Sequence, residues 1–297
     1  MKNSFLILAL LLFLVTSCKN EQDKPDAYGT FEATEITVSS QANGQINWLK
    51  VEEGQLLDSG QVVGMIDTTD LHLKRAQVIS QRSATGAQGD NLETQIAVQE
   101  QNKVNILVDK TRLEKMFKDG AATRKQLDDV NANLNLIDKQ IAAIRSQNIA
   151  LRDQVESLTR QIEQINKTIK DAWIINPVKG TVLTKYSEQD EITTYGKPLY
   201  KIADMTGIFL RVYVGGTQLP HIKLGQTVEI RYDKDEKNNT KTGGTVSWIS
   251  QAAEFTPKTI QTKEERVNLV YAVKIRVKND GSMKIGMPGE MKLITEK

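Results

Sequence analysis

The chain has 297 residues, enough for two domains of ordinary size, and a formal net charge of +2 at pH 7. Its 39 Lys and Arg are nearly balanced by 37 Asp and Glu, so the composition gives no electrostatic case for nucleic-acid binding. Aromatic residues are only 5% of the chain, and its middle third is rich in Gln, Asn, Ile, Leu and Lys, which favours long solvent-exposed helices over one large core.

Residues 1–17 predict a processing signal rather than a folded element. Lys2 supplies a positive charge, and the apolar run FLILALLLFLV that follows it is too short to span a bilayer. The run ends in VTSC, which resembles the bacterial lipoprotein box; the resemblance implies that Cys18 is acylated and begins the mature chain. The alternative is an ordinary signal peptide with a chance cysteine. Residues 18–27 are polar and predict a tether.

Two fragments of the chain form an internal repeat. GQINWLKVEEGQLLDSGQVVGMI (Gly44–Ile66) aligns without a gap, and so at one constant offset, on GTVLTKYSEQDEITTYGKPLYKI (Gly180–Ile202). Each copy is too short to bury a core alone, so we expect the two to pack on each other as halves of one β-sandwich. The coinciding residues include Gly44 with Gly180, Gly60 with Gly196, Ile46 with Val182, Leu56 with Ile192 and Val63 with Leu199.

These fragments resemble the two halves of a lipoyl- or biotinyl-type domain, here residues 41–70 and 173–203. The resemblance lies in V-x-E-G-Q-x-L-x-x-G-Q-x-V (Val51 to Val63) and P-x-x-G-x-V (Pro177 to Val182). In carrier domains a hairpin joins the halves and presents a modified lysine, whereas a long stretch of helical sequence stands there in this chain. We therefore expect no swinging-arm carrier and no biotin or lipoate.

The inserted segment, residues 71–172, predicts a coiled-coil hairpin. From Leu127 onward, apolar residues recur at alternating steps of three and four, and only Asn148 interrupts them. Asn148 either fixes the register or is a tolerated defect. The apolar positions are Leu127, Val130, Leu134, Ile137, Ile141, Ile144, Leu151, Val155, Leu158, Ile162, Ile165, Ile169 and Ala172.

The first part of this segment, Leu71 to Lys118, is less regular. Gly86 and Gly89 each cost about 1 kcal/mol against Ala in a helix, and they predict a weak or bent point. The candidate seam residues are Leu92, Ile96, Ile106, Leu113 and Phe117, with Val104 and Leu107 beside them.

The helical pattern breaks at KDGAAT. Gly120 is a candidate helix C-cap and Thr123 a candidate N-cap. Two arms of near-equal length that return to one sandwich predict an antiparallel hairpin. Its tip lies near residues 118–122, about 70 Å from its base.

The residues around this tip resemble a docking motif. In TRLEKMFKDGAATRKQL, Arg112, Met116 and Thr123 match R-x-x-x-L-x-x-x-x-x-x-S, with Met for Leu and Thr for Ser. The pattern is similar to the hairpin-tip motif of HlyD-type periplasmic adaptors (membrane fusion proteins), where it engages a TolC-type outer-membrane channel. The resemblance implies a channel-docking tip formed by Arg112, Met116, Gly120 and Thr123. Alternatively, Arg112 is a solvated charge, Met116 packs in the seam and Thr123 only caps a helix.

Residues 204–297 predict a small β-barrel with a membrane-proximal region. Short strand patterns, IFLRVYV, QTVEIRY, GGTVSWI and LVYAVKIRV, are separated by glycine turns. Residues 28–40 predict one further strand of the barrel. YDKDEKNNTKTGG predicts a hydrated turn, since its acidic spacing does not match a calcium loop.

The segment AEFTPKTIQTKEERVNLVYAVKIRV and the later GMPGEM also resemble HlyD-type adaptors, in the branch associated with ABC-type exporters. This resemblance makes Glu254, Phe255, Thr256, Pro257 and Arg266 a candidate contact with a membrane transporter. The same residues could instead stabilise one ordered loop, and both interpretations stay open.

The sequence contains no motif for catalysis. The two histidines, His72 and His221, lie in different predicted domains. There is no Gly-rich phosphate loop, zinc-ligand spacing or G-x-S-x-G elbow. We expect no enzymatic activity, no cofactor and no metal site.

Together these patterns predict an α+β chain: a split lipoyl-like β-sandwich with a long inserted α-helical coiled-coil hairpin, plus a small C-terminal β-barrel domain. The family resemblance implies a periplasmic adaptor, lipid-anchored to the inner membrane of a double-membraned bacterium. It would join an inner-membrane transporter to a TolC-type channel, as a hexameric ring; the resemblance favours an ABC-type transporter, and a proton-driven one is the alternative. The alternative is a structural lipoprotein that spaces the envelope layers without transport.

Overall fold

The computed structural model describes residues 24–233, 239–255 and 269–294. Strands in these ranges build a sandwich and a barrel, and two long helices form a hairpin inserted into the sandwich, which confirms the predicted fold class. None of the described helices is both long and apolar enough to cross a bilayer. In chain order the strands are β1 (Ala27–Glu32), β2 (Glu35–Ser39), β3 (Gly44–Leu49), β4 (Leu56–Leu57), β5 (Val62–Ile66), β6 (Trp173–Ile175), β7 (Gly180–Lys185), β8 (Ile192–Thr193), β9 (Pro198–Ala203), β10 (Gly207–Gly215), β11 (Thr227–Asp233), β12 (Asn239–Ile249), β13 (Glu254–Phe255), β14 (Leu269–Lys278) and β15 (Pro288–Leu293).

The sandwich consists of two four-stranded sheets, ordered β6-β5-β3-β8 and β2-β9-β7-β4. At the constant offset of the repeat, β3, β4 and β5 of the first copy correspond to β7, β8 and β9 of the second. Each copy lends its short middle strand to the other, because β4 pairs with β7 and β8 pairs with β3. The two repeats are therefore interleaved in one sandwich.

Both repeats contribute equivalent side chains to one apolar core. Burying each aliphatic side chain stabilises the fold by about 1.5–3 kcal/mol relative to leaving it exposed. Neither copy could exclude water from these residues alone, so the two copies fold together. The matched, fully buried pairs are Ile46 and Val182, Val63 and Leu199, and Ile66 and Ile202.

A buried asparagine joins the second repeat to the first. Asn176, fully buried in the stretch INPVKGTV, donates from Nδ2 to the carbonyl oxygens of Asp58 (2.9 Å) and Val178 (2.6 Å). The buried Tyr200 hydroxyl donates to Asn176 Oδ1 at 3.0 Å. Burial raises the pKa of Tyr200 above its ordinary value, because the apolar surroundings disfavour the ionised form.

The hairpin consists of helices α1 (Thr69–Lys118) and α2 (Arg124–Asp171). Helix α1 follows β5 and α2 precedes β6, so both helices leave the same end of the sandwich. Helix α1 is one uninterrupted helix through Gly86 and Gly89, the predicted weak or bent point.

Helix α1 has a heptad seam as regular as that of α2, although half of it is polar. Positions shielded from solvent recur at alternating steps of four and three from Leu71 to Leu113. Arginine and lysine can cover such a seam with their aliphatic stems while their charged ends reach water. The seam residues are Leu71, Arg75, Val78, Arg82, Thr85, Gly89, Leu92, Ile96, Gln99, Lys103, Ile106, Lys110 and Leu113.

Three residues assigned to this seam or its edge are exposed. Phe117 keeps the heptad register but is 39% exposed near the end of α1, while Val104 and Leu107 are 51% and 40% exposed. The assignment of Phe117 to the packed seam is therefore wrong, whereas Val104 and Leu107 were expected beside the seam and lie outside it.

Polar contacts between α1 and α2 set the antiparallel register. The buried Asn148 donates from Nδ2 to the carbonyl oxygen of Gly89 at 3.0 Å. Ion pairs join the helices at the level of that contact and toward the tip: Arg152 with Glu93 at 2.7 Å, Arg145 with Glu100 at 2.6 Å, and Lys103 with Asp138 at 2.7 Å.

The barrel closes through six strands of the described ranges. They follow the order β10-β1-β15-β11-β12-β14, and β14 pairs back onto β10; β13 adds to the edge of β14. The core of the barrel is apolar, and Phe31 packs edge-on against Tyr232 with ring centroids 6.0 Å apart.

The barrel differs from the sequence prediction in three strands. Residues 28–40 do not form one barrel strand, because Glu35–Ser39 (β2) pairs with β9 in the sandwich. Strand β12 begins at Asn239, inside the predicted hydrated turn. Asn239 already pairs with Asp233, the last residue of β11. Strand β15 was not predicted as a strand, and it lies between β1 and β11.

Strand directions place the hairpin and the start of β1 at opposite ends of the molecule. Glu32 and Gly207 lie at the barrel end next to the sandwich, because each is separated by a few residues from a sandwich strand. Ala27, Gly215 and Leu293 therefore lie at the far end of the barrel. In the sandwich, β5 runs away from the barrel before α1 begins.

Candidate partner-binding surfaces

The hairpin tip exposes the predicted docking side chains. Arg112 is 71% exposed, and its Nη1 lies 3.7 Å from Asp109 Oδ1, a loose ion pair on the same helix. Met116, one turn further along α1, is 40% exposed. Phe117 adds an exposed aromatic ring to these two, and it is the tip residue that the sequence analysis had assigned to the seam.

The turn between the helices has a well-defined backbone geometry. Gly120 has φ +73°, a conformation that favours glycine, and it ends α1 as predicted. The amide of Gly120 donates to the carbonyl of Phe117 (3.2 Å), and the amide of Ala121 donates to that of Met116 (2.7 Å). This pair of bonds is the Schellman motif, which satisfies carbonyls left free at the helix end.

Thr123 caps the start of α2. Its hydroxyl accepts a hydrogen bond from the Gln126 amide at 3.3 Å, and Gln126 Oε1 accepts from the Thr123 amide at 2.7 Å. This capping box is enough to explain a threonine at position 123 by a structural role alone. A docking role for Thr123 stays a prediction.

Only part of the candidate transporter contact lies in the described ranges. Glu254 accepts two hydrogen bonds from Arg211 Nη2, at 3.1 and 2.8 Å, and thereby joins β13 to the barrel wall. This geometry fits the loop-stabilising interpretation for Glu254. The side chain of Phe255, and all of Thr256, Pro257 and Arg266, lie outside the described residues.

The lipid-anchor candidate Cys18 and the signal sequence also lie outside the described residues. The description begins at Lys24, just before β1. The start of β1 lies at the far end of the barrel, where the Asp26 amide donates to the Met291 carbonyl at 2.9 Å.

A row of apolar side chains crosses the outer face of one sandwich sheet. Trp48, Met65 and Trp173 are paired across β3, β5 and β6, and none of the three is fully buried. Next to them Val62 pairs with Ile175, and these two side chains are 44% and 43% exposed. We call this set the apolar row; it was not among the surfaces predicted from the sequence.

The second repeat shows that the fold does not require the apolar row. At the constant offset of the repeat, Trp48 and Met65 correspond to Thr184 and Lys201, which pair with each other in the other sheet. Lys201 also pairs with Thr37 on the neighbouring strand β2. There Lys201 forms an ion pair with Glu35 at 2.8 Å. The same strands thus carry a polar outer face in one copy and an apolar one in the other.

No protein-family model matches the chain. Among curated proteins, a UPF0194 membrane protein of Citrobacter koseri is 27% identical over 286 residues, covering 88% of this chain and 86% of the relative. Among solved structures, MacA from Actinobacillus actinomycetemcomitans has a TM-score of 0.57 at 19% identity, covering 89% of this chain and 76% of MacA. A membrane fusion protein from Streptococcus pneumoniae R6 has a TM-score of 0.54 at 17% identity, covering 91% of this chain and 98% of that protein. The chain therefore has the fold of the membrane fusion proteins.

Proposed function

We propose that this protein is a lipid-anchored periplasmic adaptor of the HlyD type, which joins an inner-membrane transporter to a TolC-type outer-membrane channel. The observation that carries the proposal is the position of the hairpin tip, at the end of the molecule opposite the start of β1. Arms of 50 and 48 residues extend about 70 Å from the sandwich. A rod of this length supports contact with a partner far from the anchored end.

The chemistry of the tip supports a protein partner. The guanidinium of Arg112 offers five donors to carbonyl oxygens of a partner, and its ion pair with Asp109 is loose enough to exchange. Met116 is flexible and fills irregular apolar grooves. Phe117 adds aromatic area of the kind found at the centre of binding interfaces.

The opposite end is assigned to the inner membrane and the transporter. Acylation at Cys18 would hold the start of the chain at the membrane surface, next to the barrel end from which β1 begins. The candidate residues Glu254, Phe255, Thr256, Pro257 and Arg266 would then contact the transporter, for which the sequence resemblance favours the ABC type. The adaptor itself supplies no catalytic step in this scheme.

The apolar row supports self-association. Solvent-facing tryptophans on one sheet, with a polar equivalent on the other, mark an interaction surface rather than a folding requirement. We assign this surface to a neighbouring copy in a ring, which by family resemblance is hexameric. Matching surfaces of this kind would also select the correct partners.

Charge reversal at the tip tests the docking role. Arg112→Asp should weaken channel binding by about tenfold or more, because it replaces a five-donor group with an acceptor at an interface centre. Export in intact cells and crosslinking of the channel to the hairpin should both fall. Arg112→Ala should show the same loss to a smaller extent.

The matched control is Arg160→Ala. Arg160 is also exposed (69%) and ion-paired within α2, but it lies near the base of the hairpin. Wild-type export and crosslinking with both Arg112 variants would reject the docking role. Normal envelope spacing with no export partner would then favour the structural lipoprotein.

A further inference from the structure

The end of the barrel farthest from the hairpin carries exposed apolar and basic side chains. Leu224 is 68% exposed and Ile294 is 52% exposed. Together with His221, Lys223 and Gln226 they line one open depression of about 670 Å³. We call these five residues the basal face.

The start of the described chain lies at this same end. The loop that bears Leu224 follows Gly215, the last residue of β10, and Gln218 Nε2 in that loop donates to the carbonyl oxygen of Asp26 at 2.9 Å. Asp26 Oδ2 in turn accepts from the amide of Leu293 at 2.7 Å. The residues just before β1 are therefore fixed beside the basal face.

Leu224 is presented by a rigid turn. In the turn Lys223–Gln226, the Lys223 amide donates to Gln226 Oε1 (2.8 Å) and the Gln226 amide donates to the Lys223 carbonyl (3.1 Å). Gly225 supplies the required positive φ of +81° and donates to the carbonyl of Val246 at 2.9 Å. The leucine is held outward by these bonds.

Within the described residues, the same turn, with both hydrogen bonds and a positive-φ glycine at its third position, occurs twice more, with polar residues in place of this leucine. The turns Glu52–Gln55 and Asp58–Gln61 repeat both hydrogen bonds, and their glycines also have positive φ. Their second positions are Glu53 and Ser59, both exposed. The turn geometry therefore accepts polar residues at this position. The turn itself does not require the exposed leucine at position 224, so the leucine points to a role of the surface.

The charge of the basal face fits an anionic surface. Among the described residues, its lining includes Lys223 and no carboxylate, and the carboxylate of Asp26 at the same end is engaged by the Leu293 amide. Exposed aliphatic residues beside a lysine are the composition by which peripheral proteins bind the headgroup region of anionic bilayers.

The length of chain before the described residues brings a bilayer within reach. Six peptide units separate Cys18 from Lys24 and can span at most about 20 Å. With Cys18 acylated, as the proposed function requires, Lys24 stays within that distance of the headgroups, at the same end of the barrel as the basal face.

We propose that the basal face rests on the anionic phospholipid surface to which the chain is anchored, with Leu224 and Ile294 inserted between headgroups. The inference rests on the anchoring part of the proposed function. An acylated cysteine on a polar tether alone would let the long hairpin tilt in all directions. A second contact through the basal face would hold the hairpin upright, toward the outer membrane.

Fluorescent labelling of the full mature lipoprotein tests this contact. Leu224→Cys and Ile294→Cys are labelled with a polarity-sensitive fluorophore and reconstituted in vesicles of phosphatidylethanolamine and phosphatidylglycerol. We expect emission from both labels to shift to shorter wavelength, and nitroxide lipids to quench it. Ser59→Cys, at the equivalent position of the sandwich turn, is the matched control and should show neither effect.

Water-like emission at both positions, or an equal shift at Ser59→Cys, would overturn the proposal. A shift that needs a co-reconstituted inner-membrane transporter would identify the face as a protein contact and would overturn it too. A free Cys18 thiol in the mass spectrum of the mature protein removes its basis. The Arg112 experiment is independent, since it reads channel contact and not membrane contact.

Discussion

Thr123 has a complete structural explanation in the start of α2, and this explanation can be separated from docking. Thr123→Ala should remove the side-chain partner of the Gln126 amide and destabilise the first turn of α2 by about 1 kcal/mol. Hydrogen exchange at the Gln126 amide should become correspondingly faster. Thr123→Ser keeps the hydroxyl and should leave the exchange rate unchanged.

For docking, the serine variant is the informative one. If Thr123 acts only as a cap, export with Thr123→Ser should equal that of the wild type. Loss of export in this variant, with normal exchange at Gln126, would show that the methyl group itself contacts a partner.

Asn148 stabilises the hairpin through its bond to Gly89. Asn148→Ala should lower the free energy of unfolding by about 1 kcal/mol, since it removes a buried donor and leaves space opposite a glycine. Thermal unfolding followed by circular dichroism measures the change. Gln147→Ala, its exposed neighbour, is the control and should have little effect; equal melting of both variants would mean that the Asn148 bond is energetically idle.

The tip residues differ in how far sequence could predict them. Gly120 and Thr123 were predictable as helix caps, because capping depends on local backbone chemistry. Phe117 was assigned to the seam because the heptad pattern does not show where two helices stop covering each other. Leu224 could not be predicted as a surface residue, because its exposure depends on how the barrel closes.

The two helices show which seams can be read from sequence. The α2 seam is almost wholly apolar, so its heptads were visible. The α1 seam has the same spacing, but Arg82, Gln99 and Lys110 occupy positions that a hydropathy pattern counts as breaks. Strand pairing in the sandwich and in the barrel was equally hidden, because the partners of β2 and β15 are distant in sequence.

The apolar row gives a prediction that compares the two repeats. Met65→Lys with Trp173→Thr gives the first sheet a polar outer face like that of the second, and should abolish self-association without loss of secondary structure. Sedimentation of the purified full-length protein measures assembly, and circular dichroism measures folding. Thr184→Ala, on the second sheet, should assemble normally.

A folded double variant that still assembles as the wild type does would remove the apolar row from the ring interface. Assembly would then depend on another surface, and the tryptophans would need a different partner.

At the level of the entire chain, the length of the hairpin is the property that function should depend on. Deleting residues 101–107 and 133–139 removes one heptad from each helix, together with both members of the Lys103–Asp138 pair, and preserves the seam spacing. The hairpin becomes shorter by about 10 Å. Export should fall although the protein folds and reaches the membrane.

The control deletes the same number of residues and restores length elsewhere. Reinserting one heptad into each arm, with unchanged seam residues, should recover export. Full export by the shortened hairpin would mean that reach across the periplasm does not limit function.

The constant offset between the two repeats made the order of the parts predictable. Two fragments that cannot fold alone must pack on each other, so the residues between them must project from the sandwich as one hairpin. What the repeat could not predict was the exchange of β4 and β8 between its copies, because strand exchange leaves the pattern of glycines and apolar residues unchanged.

Photocrosslinking from the tip in intact cells tests the adaptor role most directly. A photoreactive residue replaces Phe117 at the tip or, as the reference, Leu73, which is 66% exposed at the base of α1. We predict that position 117 captures an outer-membrane channel protein and that position 73 does not. Capture of no channel from position 117, in cells where the protein is folded and membrane-bound, would contradict the proposed function.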